Sequence, residues 1–223
     1  MLGGVFALRF RDNLHLILGF SAGAVVGVAL FDLLPEAIKL TDDPARLALF
    51  VAGGFVAYLV IDRLVLLHPH TDDHDHGLQF RGAMGALTLS AHSFLDGVAI
   101  GVGFQASTAV GLIVTAAVIT HDFSDGINTV SFILKSGGGM RRALPWLIVD
   151  ALAPVLGAAS TLLFRIPAAA IGPVLAVFAG SFLYLGASDL IPESHHGHPR
   201  AATTVMTLLG AGVLYAAVWL SSR

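Results

Sequence analysis

Two copies of one short motif bring histidine and aspartate into an otherwise apolar chain. The segment HSFLDG begins at His92 and the segment HDFSDG begins at His121, so both read His-x-Phe-x-Asp-Gly and lie 29 residues apart. Each motif has an aspartate four residues after the histidine, at Asp96 and Asp125, which in a helix puts both side chains on one face. Imidazole nitrogen and carboxylate oxygen are donors that bind Zn²⁺. The paired motifs therefore predict a metal site.

Both motifs fall near the centres of consecutive apolar segments, at 82–104 and 107–134. An ionisable side chain at the centre of a bilayer costs roughly 2.5–3.5 kcal/mol or more and marks a functional position by default. Asp122 adds another carboxylate at the same depth. A divalent cation would relieve the repulsion among these groups, whereas hydrogen bonding between helices is the structural alternative. The duplication of the motif favours the metal.

The elements that must position these residues are membrane-spanning helices. The chain has 223 residues, of which 56% are hydrophobic and only 12% charged, about half the charged fraction of a soluble domain. Apolar runs of the length that a bilayer requires predict a single transmembrane domain, 1–223, and an all-α polytopic fold. Seven helices are expected, near 14–38, 45–68, 82–104, 107–134, 141–163, 168–191 and 201–221.

A second internal repeat frames the motif helices. The segments FSAGAVVGVALFDLLPEA, at 20, and VFAGSFLYLGASDLIPES, at 177, match with an offset of 157 residues. The match aligns Asp32 and Glu36 with Asp189 and Glu193. By the order of the spans the two copies run in opposite directions, as the motif helices also do. Inverted repeats of this kind are a common construction of secondary transporters.

The placement of Lys and Arg predicts the orientation. Eight of these residues lie on the N-terminal side of the membrane and four on the other side, which favours a cytoplasmic N-terminus. The same reasoning makes the histidine-rich loop, 68–81, cytoplasmic, in a plasma membrane or bacterial inner membrane. The chain has no cysteine, so thiolate metal sites are excluded. A net charge of −3 gives no sign of a nucleic-acid partner.

These segments resemble the ZIP (Zrt/Irt-like protein) family of divalent metal transporters. The resemblance rests on HSFLDGVAIG and HDFSDG, framed by LLPEA and YLGASDLIPE. It implies uptake into the cytosol of Zn²⁺, and in some members of Fe²⁺, Mn²⁺ or Cd²⁺, without a further cofactor. It also implies a homodimer and an eight-helix fold, so that the seven helices predicted here correspond to that fold without its first helix.

The resemblance assigns roles residue by residue. It places metal-ligand positions on the two motif helices, at His92, Ser93, Asp96, His121, Asp122 and Asp125. Where the family often has a Glu before a Pro on the next helix, this chain has Ala153, with Asp150 one turn earlier. One turn is about 5 Å along a helix, so we expect Asp150 to fall short and only one central metal to be held tightly.

The sequence therefore predicts a divalent-cation transporter, not an enzyme. The expected route begins at Asp32 and Glu36 on the outer face and passes the central site. On the inner face it continues past five residues, Asp189, Glu193, His195, His196 and His198. An intramembrane zinc hydrolase is the chief alternative, since metal-bound water can cleave a lipid or peptide bond. A metal receptor that does not transport is the other.

Overall fold

The computed structural model describes residues 14–66, 76–195 and 201–221, and within these ranges the chain is helical with no β-strand. Nine α-helices lie in the described part of the chain: α1 (Leu14–Val28), α2 (Leu34–Lys39), α3 (Pro44–Leu66), α4 (His76–Ala106), α5 (Thr108–Lys135), α6 (Met140–Ser160), α7 (Ala168–Tyr184), α8 (Ile191–His195) and α9 (Ala201–Ser221). Two π-helical segments complete the first and sixth spans: π1 (Ala29–Leu33) joins α1 to α2, and π2 (Leu185–Leu190) joins α7 to α8.

The predicted number of membrane-spanning helices is confirmed. Seven helical stretches of the described chain are long and apolar enough to cross a bilayer: His15–Lys39, Pro44–Arg63, Gly82–Ala106, Thr108–Leu134, Met140–Leu163, Ala168–His195 and Ala201–Leu220. One boundary differs from the prediction, because α4 already begins at His76 and so includes residues 76–81 of the expected histidine-rich loop. Leu78, Gln79 and Arg81 are good helix formers and extend the helix. Residues 68–75 of that loop lie outside the described part of the chain.

Each π-helical segment immediately precedes a proline-containing turn. Pro35 lies in the first turn of α2, and Pro192 occupies the equivalent position in α8. Proline has no N–H to donate, and its ring collides with the carbonyl four residues earlier. A π-helical turn adds one residue to the hydrogen-bonded ring and relieves this collision. The inverted sequence repeat is thus also a repeat of local backbone structure.

The helices pack into two bundles. In one, α4 lies against both α5 and α6; in the other, α1 packs on α9 and α3 packs on α7. Small residues permit the close approach: a Cβ atom at Gly97 would overlap the carbonyl group of Pro154, and one at Gly157 would overlap the carbonyl of Phe94. This contact between α4 and α6 is typical of membrane helices, whose association depends on close packing.

Short connections make successive spans antiparallel and define two faces of the molecule. The first face carries the helix ends at Leu66 and His76, and the second face carries those at Lys39 and Ala106. Between the centre of the molecule and the second face lies an apolar plug of fully or almost fully buried side chains, Val25, Val28, Val102, Val114, Val118 and Phe182. The plug joins α4 and α5 to the other bundle.

Candidate metal centre

Two histidines and two aspartates meet midway along α4 and α5. His92 and Asp96 come from α4, His121 and Asp125 from α5, and one donor atom of each lies within 4.8 Å of those of the other three. His92 Nε2 and His121 Nε2 each lie 3.0 Å from Asp96 Oδ2. All four side chains are buried. The antiparallel packing of two i, i+4 pairs therefore brings together four donors from two distant parts of the sequence.

Two donor atoms of this group have no hydrogen-bond partner among the described residues. They are His92 Nε2 and Asp125 Oδ2, which lie 3.7 Å apart. His92 Nε2 is also 3.0 Å from Asp96 Oδ2, which is an ion-pair distance, but the two atoms form no hydrogen bond. A buried polar atom without a partner is destabilising, so two of them facing one another require an explanation. A cation that both atoms coordinate would supply it.

Both imidazole rings are held through Nδ1, with Nε2 directed at the carboxylates. His121 Nδ1 lies 3.0 Å from the carbonyl oxygen of Ala117, which can only accept, so Nδ1 carries the proton. His92 Nδ1 lies 2.9 Å from the hydroxyl of Tyr58. A metal-binding histidine typically donates its other ring N–H in this way, which fixes both its tautomer and its orientation. The two rings are therefore arranged to offer Nε2 to a metal.

The spacing of the four donors suits a small divalent cation. In a tetrahedral zinc site with bonds of about 2.0–2.2 Å, neighbouring donors are roughly 3.4 Å apart. Three of the six separations, 3.0, 3.0 and 3.7 Å, lie on either side of that value, and the other three do not exceed 4.8 Å. Two nitrogen and two oxygen donors also form a complete four-coordinate set for zinc.

The structure does not place Ser93 or Asp122 in this group of four. Each follows a histidine in sequence, and successive helical residues point about 100° apart, so their side chains leave the shared face. Ser93 instead donates its hydroxyl to Asp150 Oδ1 at 3.0 Å. Asp122 Oδ1 is buried without a partner among the described residues. Ser93 and the buried Asp150 thus form a separate polar pair beside the centre.

Asp150 contacts the first motif helix through its hydrogen bond with Ser93, and it is not among the four converging donors. That it falls short of a second metal position stays a prediction. The glycine contacts at Gly97 and Gly157 bring α6 close against α4 and allow the hydrogen bond. Which residues approach one another across that contact depends on the crossing of the helices, which spacing along one chain segment cannot give.

A cavity of about 710 Å³ leads from the metal centre towards the first face. His92 and Asp125 form its inner end, and Asp189 and Glu193 line it on the side of π2 and α8. Asn128 also lines it and donates to Glu193 Oε2 at 3.4 Å. Polar side chains therefore continue from the centre to one face of the molecule.

The remaining residues of the predicted route have different surroundings. Asp32 is buried beside the apolar plug, with Oδ2 unpaired among the described residues. Glu36 pairs with Lys39 at 3.0 Å near the second face. His195 does not line the cavity; its ring nitrogens lie near the carbonyl of Ile191 and the hydroxyl of Thr204. Two further histidines lie outside the described part of the chain, His196 and His198.

The sequence as a whole matches a known family. The family model described as ZIP Zinc transporter matches residues 67–217, which is more than half of the chain and includes both motif helices. The chain belongs to the ZIP family. Membership, seven spans and the buried His/Asp cluster together support divalent metal transport by an integral membrane protein.

Relatives of this ZIP protein include three zinc transporters from animals and yeast. Zinc transporter zipt-7.1 of Caenorhabditis briggsae is 23% identical over 91% of this chain, and zinc transporter ZIP13 of Pongo abelii is 24% identical over 91%. Zinc transporter YKE4 of Saccharomyces cerevisiae is 22% identical over 84%. The matches span 70%, 65% and 63% of these relatives, respectively.

Two residues that line the cavity beside this ZIP protein's centre have contacts that the sequence analysis did not assign. Tyr58 contacts His92, and Asp62 accepts a hydrogen bond from the Tyr184 hydroxyl at 2.9 Å. Both belong to α3, which carries no motif and whose apolar run gave no reason to place it beside the site. An aspartate within a predicted span was the one available signal, and it marked Asp62 but not Tyr58.

Proposed function

We propose that this protein carries divalent metal cations across a membrane, with Zn²⁺ as its main cargo and His92, Asp96, His121 and Asp125 as the central ligands. The observation that carries the proposal is the pair of buried donor atoms without a hydrogen bond, His92 Nε2 and Asp125 Oδ2, at the inner end of a cavity that Asp189 and Glu193 also line. Fe²⁺, Mn²⁺ and Cd²⁺, which accept the same donors, are secondary candidates.

The direction of transport that we propose is from the second face to the first. The distribution of Lys and Arg makes the first face cytoplasmic, so the cavity opens to the cytosol and the apolar plug separates the centre from the outside. The conformation described here is then the one that releases metal. In this scheme Asp189 and Glu193 receive the cation as it leaves the centre.

A hydrolytic enzyme is the less suitable alternative. Catalytic zinc is usually held by three protein ligands, with water in the fourth position. Here four protein donors converge on one point, which leaves a tetrahedral ion no place for a reacting water. We therefore propose that the chain has no hydrolase activity.

We also propose that the protein is located in the plasma membrane or the bacterial inner membrane.

Metal flux into proteoliposomes tests this proposal. The purified chain should move zinc into vesicles that contain a fluorescent zinc indicator, and a panel of Fe²⁺, Mn²⁺ and Cd²⁺ should give its selectivity. Heat-denatured protein in the same lipid controls for leakage. Zinc binding without flux would instead indicate a metal receptor, and metal-dependent cleavage of lipid or peptide substrates would indicate the hydrolase.

The assembly is a separate proposal that the family resemblance motivates. We propose a homodimer, which light scattering of the purified protein in detergent would detect as twice the mass of one chain.

We propose that the histidine-rich segment 68–75 contributes to transport by capturing metal on the cytoplasmic side. Deleting residues 70–75 should leave zinc flux largely intact, because the sequence of that segment is too polar for a membrane span.

A further inference from the structure

We propose that Tyr58 is a positioning residue for His92, and that it acts only in the conformation whose cavity opens to the first face. Its hydroxyl orients the imidazole so that Nε2 points at the metal, although Tyr58 belongs to the other helix bundle. This inference rests on the proposed transport function, because it concerns the affinity of the centre in one of two conformations.

The contact between Tyr58 and His92 is direct and well defined. The hydroxyl oxygen lies 2.9 Å from His92 Nδ1, and the two rings meet edge to face, with centroids 5.3 Å apart and planes at 90°. At the other end of the same ring, Nε2 faces Asp96 and Asp125. The phenol oxygen can accept the Nδ1 proton, which leaves the Nε2 lone pair free for a metal.

The two histidines of the centre differ in where their Nδ1 partner comes from. His121 is held by the carbonyl of Ala117, four residues earlier in its own helix, so its orientation travels with α5. His92 is held by Tyr58, which lies on α3 in the opposite bundle. A relative movement of the bundles that separates α3 from α4 would therefore preserve the first contact and break the second.

The position of Tyr58 is fixed from its own side. Its ring packs against that of Tyr184 on α7, with centroids 5.4 Å apart, and Tyr184 in turn donates to Asp62 on α3. Tyr58 is thus anchored to α3 and α7, while it reaches across to α4. The phenol ring also lines the cavity beside His92, so it stands where metal would enter or leave on the first-face side.

Loss of the hydroxyl should weaken metal binding in one conformation only. Removing an outer-sphere partner of a metal-binding histidine typically lowers affinity 10- to 100-fold. The substitution Tyr58→Phe keeps the ring and its packing and removes only the oxygen. Metal that reaches the centre from the second face would meet a conformation in which the contact between Tyr58 and His92 is already absent. The affinity for metal supplied from that side should therefore not change.

The experiment measures zinc transport in proteoliposomes of known protein orientation, with zinc supplied from either side. For Tyr58→Phe we expect KM on the first-face side to rise about 10- to 100-fold, with KM on the second-face side unchanged. Tyr215→Phe is the matched control, because that hydroxyl lies on the exposed α9 and its ring packs on Phe31, away from the centre. An equal rise in KM for zinc supplied from either side would overturn the proposal that Tyr58 acts in one conformation only.

Equilibrium zinc binding provides a second readout that does not depend on transport. Tyr58→Phe should raise the Kd of the purified protein, and X-ray absorption should count fewer imidazole ligands on the bound zinc. In a His92→Ala background the same substitution should have no further effect, because the ring it positions is gone. Equal Kd values and equal imidazole counts in wild type and Tyr58→Phe would show that Tyr58 only packs.

These readouts separate this inference from the proposed function. If wild type binds zinc but does not transport it, the transport proposal fails, and the Kd and imidazole count still decide whether Tyr58 positions His92. If wild type transports zinc and Tyr58→Phe matches it in every measurement, only the inference fails. A wild-type chain that does not bind zinc at all would overturn both.

Discussion

The two π-helical segments carry the same sequence pattern in different surroundings. In π1, Asp32 is 7% exposed and lies beside the apolar plug. In π2, Asp189 occupies the aligned position but lines the cavity that reaches the first face. Each segment is followed by Pro and Glu in the next short helix. Equivalent local structure therefore does not imply equivalent access to water or metal.

The difference between the two segments is the one expected if the structure is one of the two conformations of an inverted-repeat transporter. The local backbone depends on the proline and is the same in both copies. The surroundings depend on how the bundle of α4, α5 and α6 sits against the other four spans. If that bundle shifts, Asp32 becomes exposed and Asp189 becomes covered, which is the alternating access that repeats of this kind permit.

The largest expected effect comes from removing the centre on which both halves converge. The double variant His92→Ala/His121→Ala should reduce zinc flux more than about 100-fold, beyond the usual effect of losing an outer-sphere partner. Zinc uptake into proteoliposomes measures it, and His15→Ala on α1 controls for the loss of an imidazole elsewhere. Wild-type flux in the double variant would mean that cations do not pass through this centre.

Access of a thiol reagent to the two segments should differ almost as strongly. The chain has no cysteine, so single cysteines can be introduced without background reaction. Ser188→Cys, which lines the cavity, should react with a membrane-impermeant maleimide added on the first-face side. Ala29→Cys, at a fully buried position of π1, should stay unlabelled by reagent on the second-face side while the protein holds this conformation. Fast labelling of both would contradict a sealed second-face half.

The aligned aspartates should respond unequally to loss of charge. Asp189→Asn should raise the KM for zinc supplied from the first face roughly fivefold, since one charge pair in water-like surroundings contributes about 1 kcal/mol. Asp32→Asn should leave that KM unchanged, because the apolar plug separates Asp32 from the cavity. Sided flux assays compare the two variants directly. A larger effect of Asp32→Asn on this side would show that the plug is not closed.

The smallest effect is expected from Ala153→Glu, because this substitution lies in neither of the two π-helical segments. Ala153 is buried on α6, one turn beyond the pair formed by Asp150 and Ser93. An added carboxylate there should create a second, weaker zinc position beside the centre and leave the first unchanged. Equilibrium dialysis counts bound zinc, and Ala153→Gln controls for bulk. Two tightly bound ions in the unmodified chain would mean that Ser93 and Asp150 already suffice.

Much of the fold could be predicted from sequence because lipid leaves few choices. Apolar runs that must satisfy their backbone hydrogen bonds internally become helices, and the seven spans followed from their lengths. The repeat of Asp32 and Glu36 in Asp189 and Glu193 likewise indicated inverted symmetry. The boundary of α4 was less accurate, since residues 76–81 are helical although they are polar enough to resemble a loop.

The candidate centre was predictable as far as single helices determine it. The i, i+4 spacing of His92 with Asp96 and of His121 with Asp125 put each pair on one face, and the antiparallel order of α4 and α5 brought the pairs to one depth. Contacts between helices without a shared motif were not predictable. Tyr58 and Asp150 reach the centre region only because of how α3 and α6 pack against α4.

The sequence by itself determined the helices, their order and the chemistry of the two motifs, because these depend on local composition and spacing. Only the tertiary structure decided which half of the inverted repeat is open. Two copies with nearly the same residues have nearly the same local energy, so the sequence pattern does not distinguish them. The choice lies in side-chain packing between the bundles, where Val114, Val118 and Phe182 close one side and the cavity beside Asp189 leaves the other open.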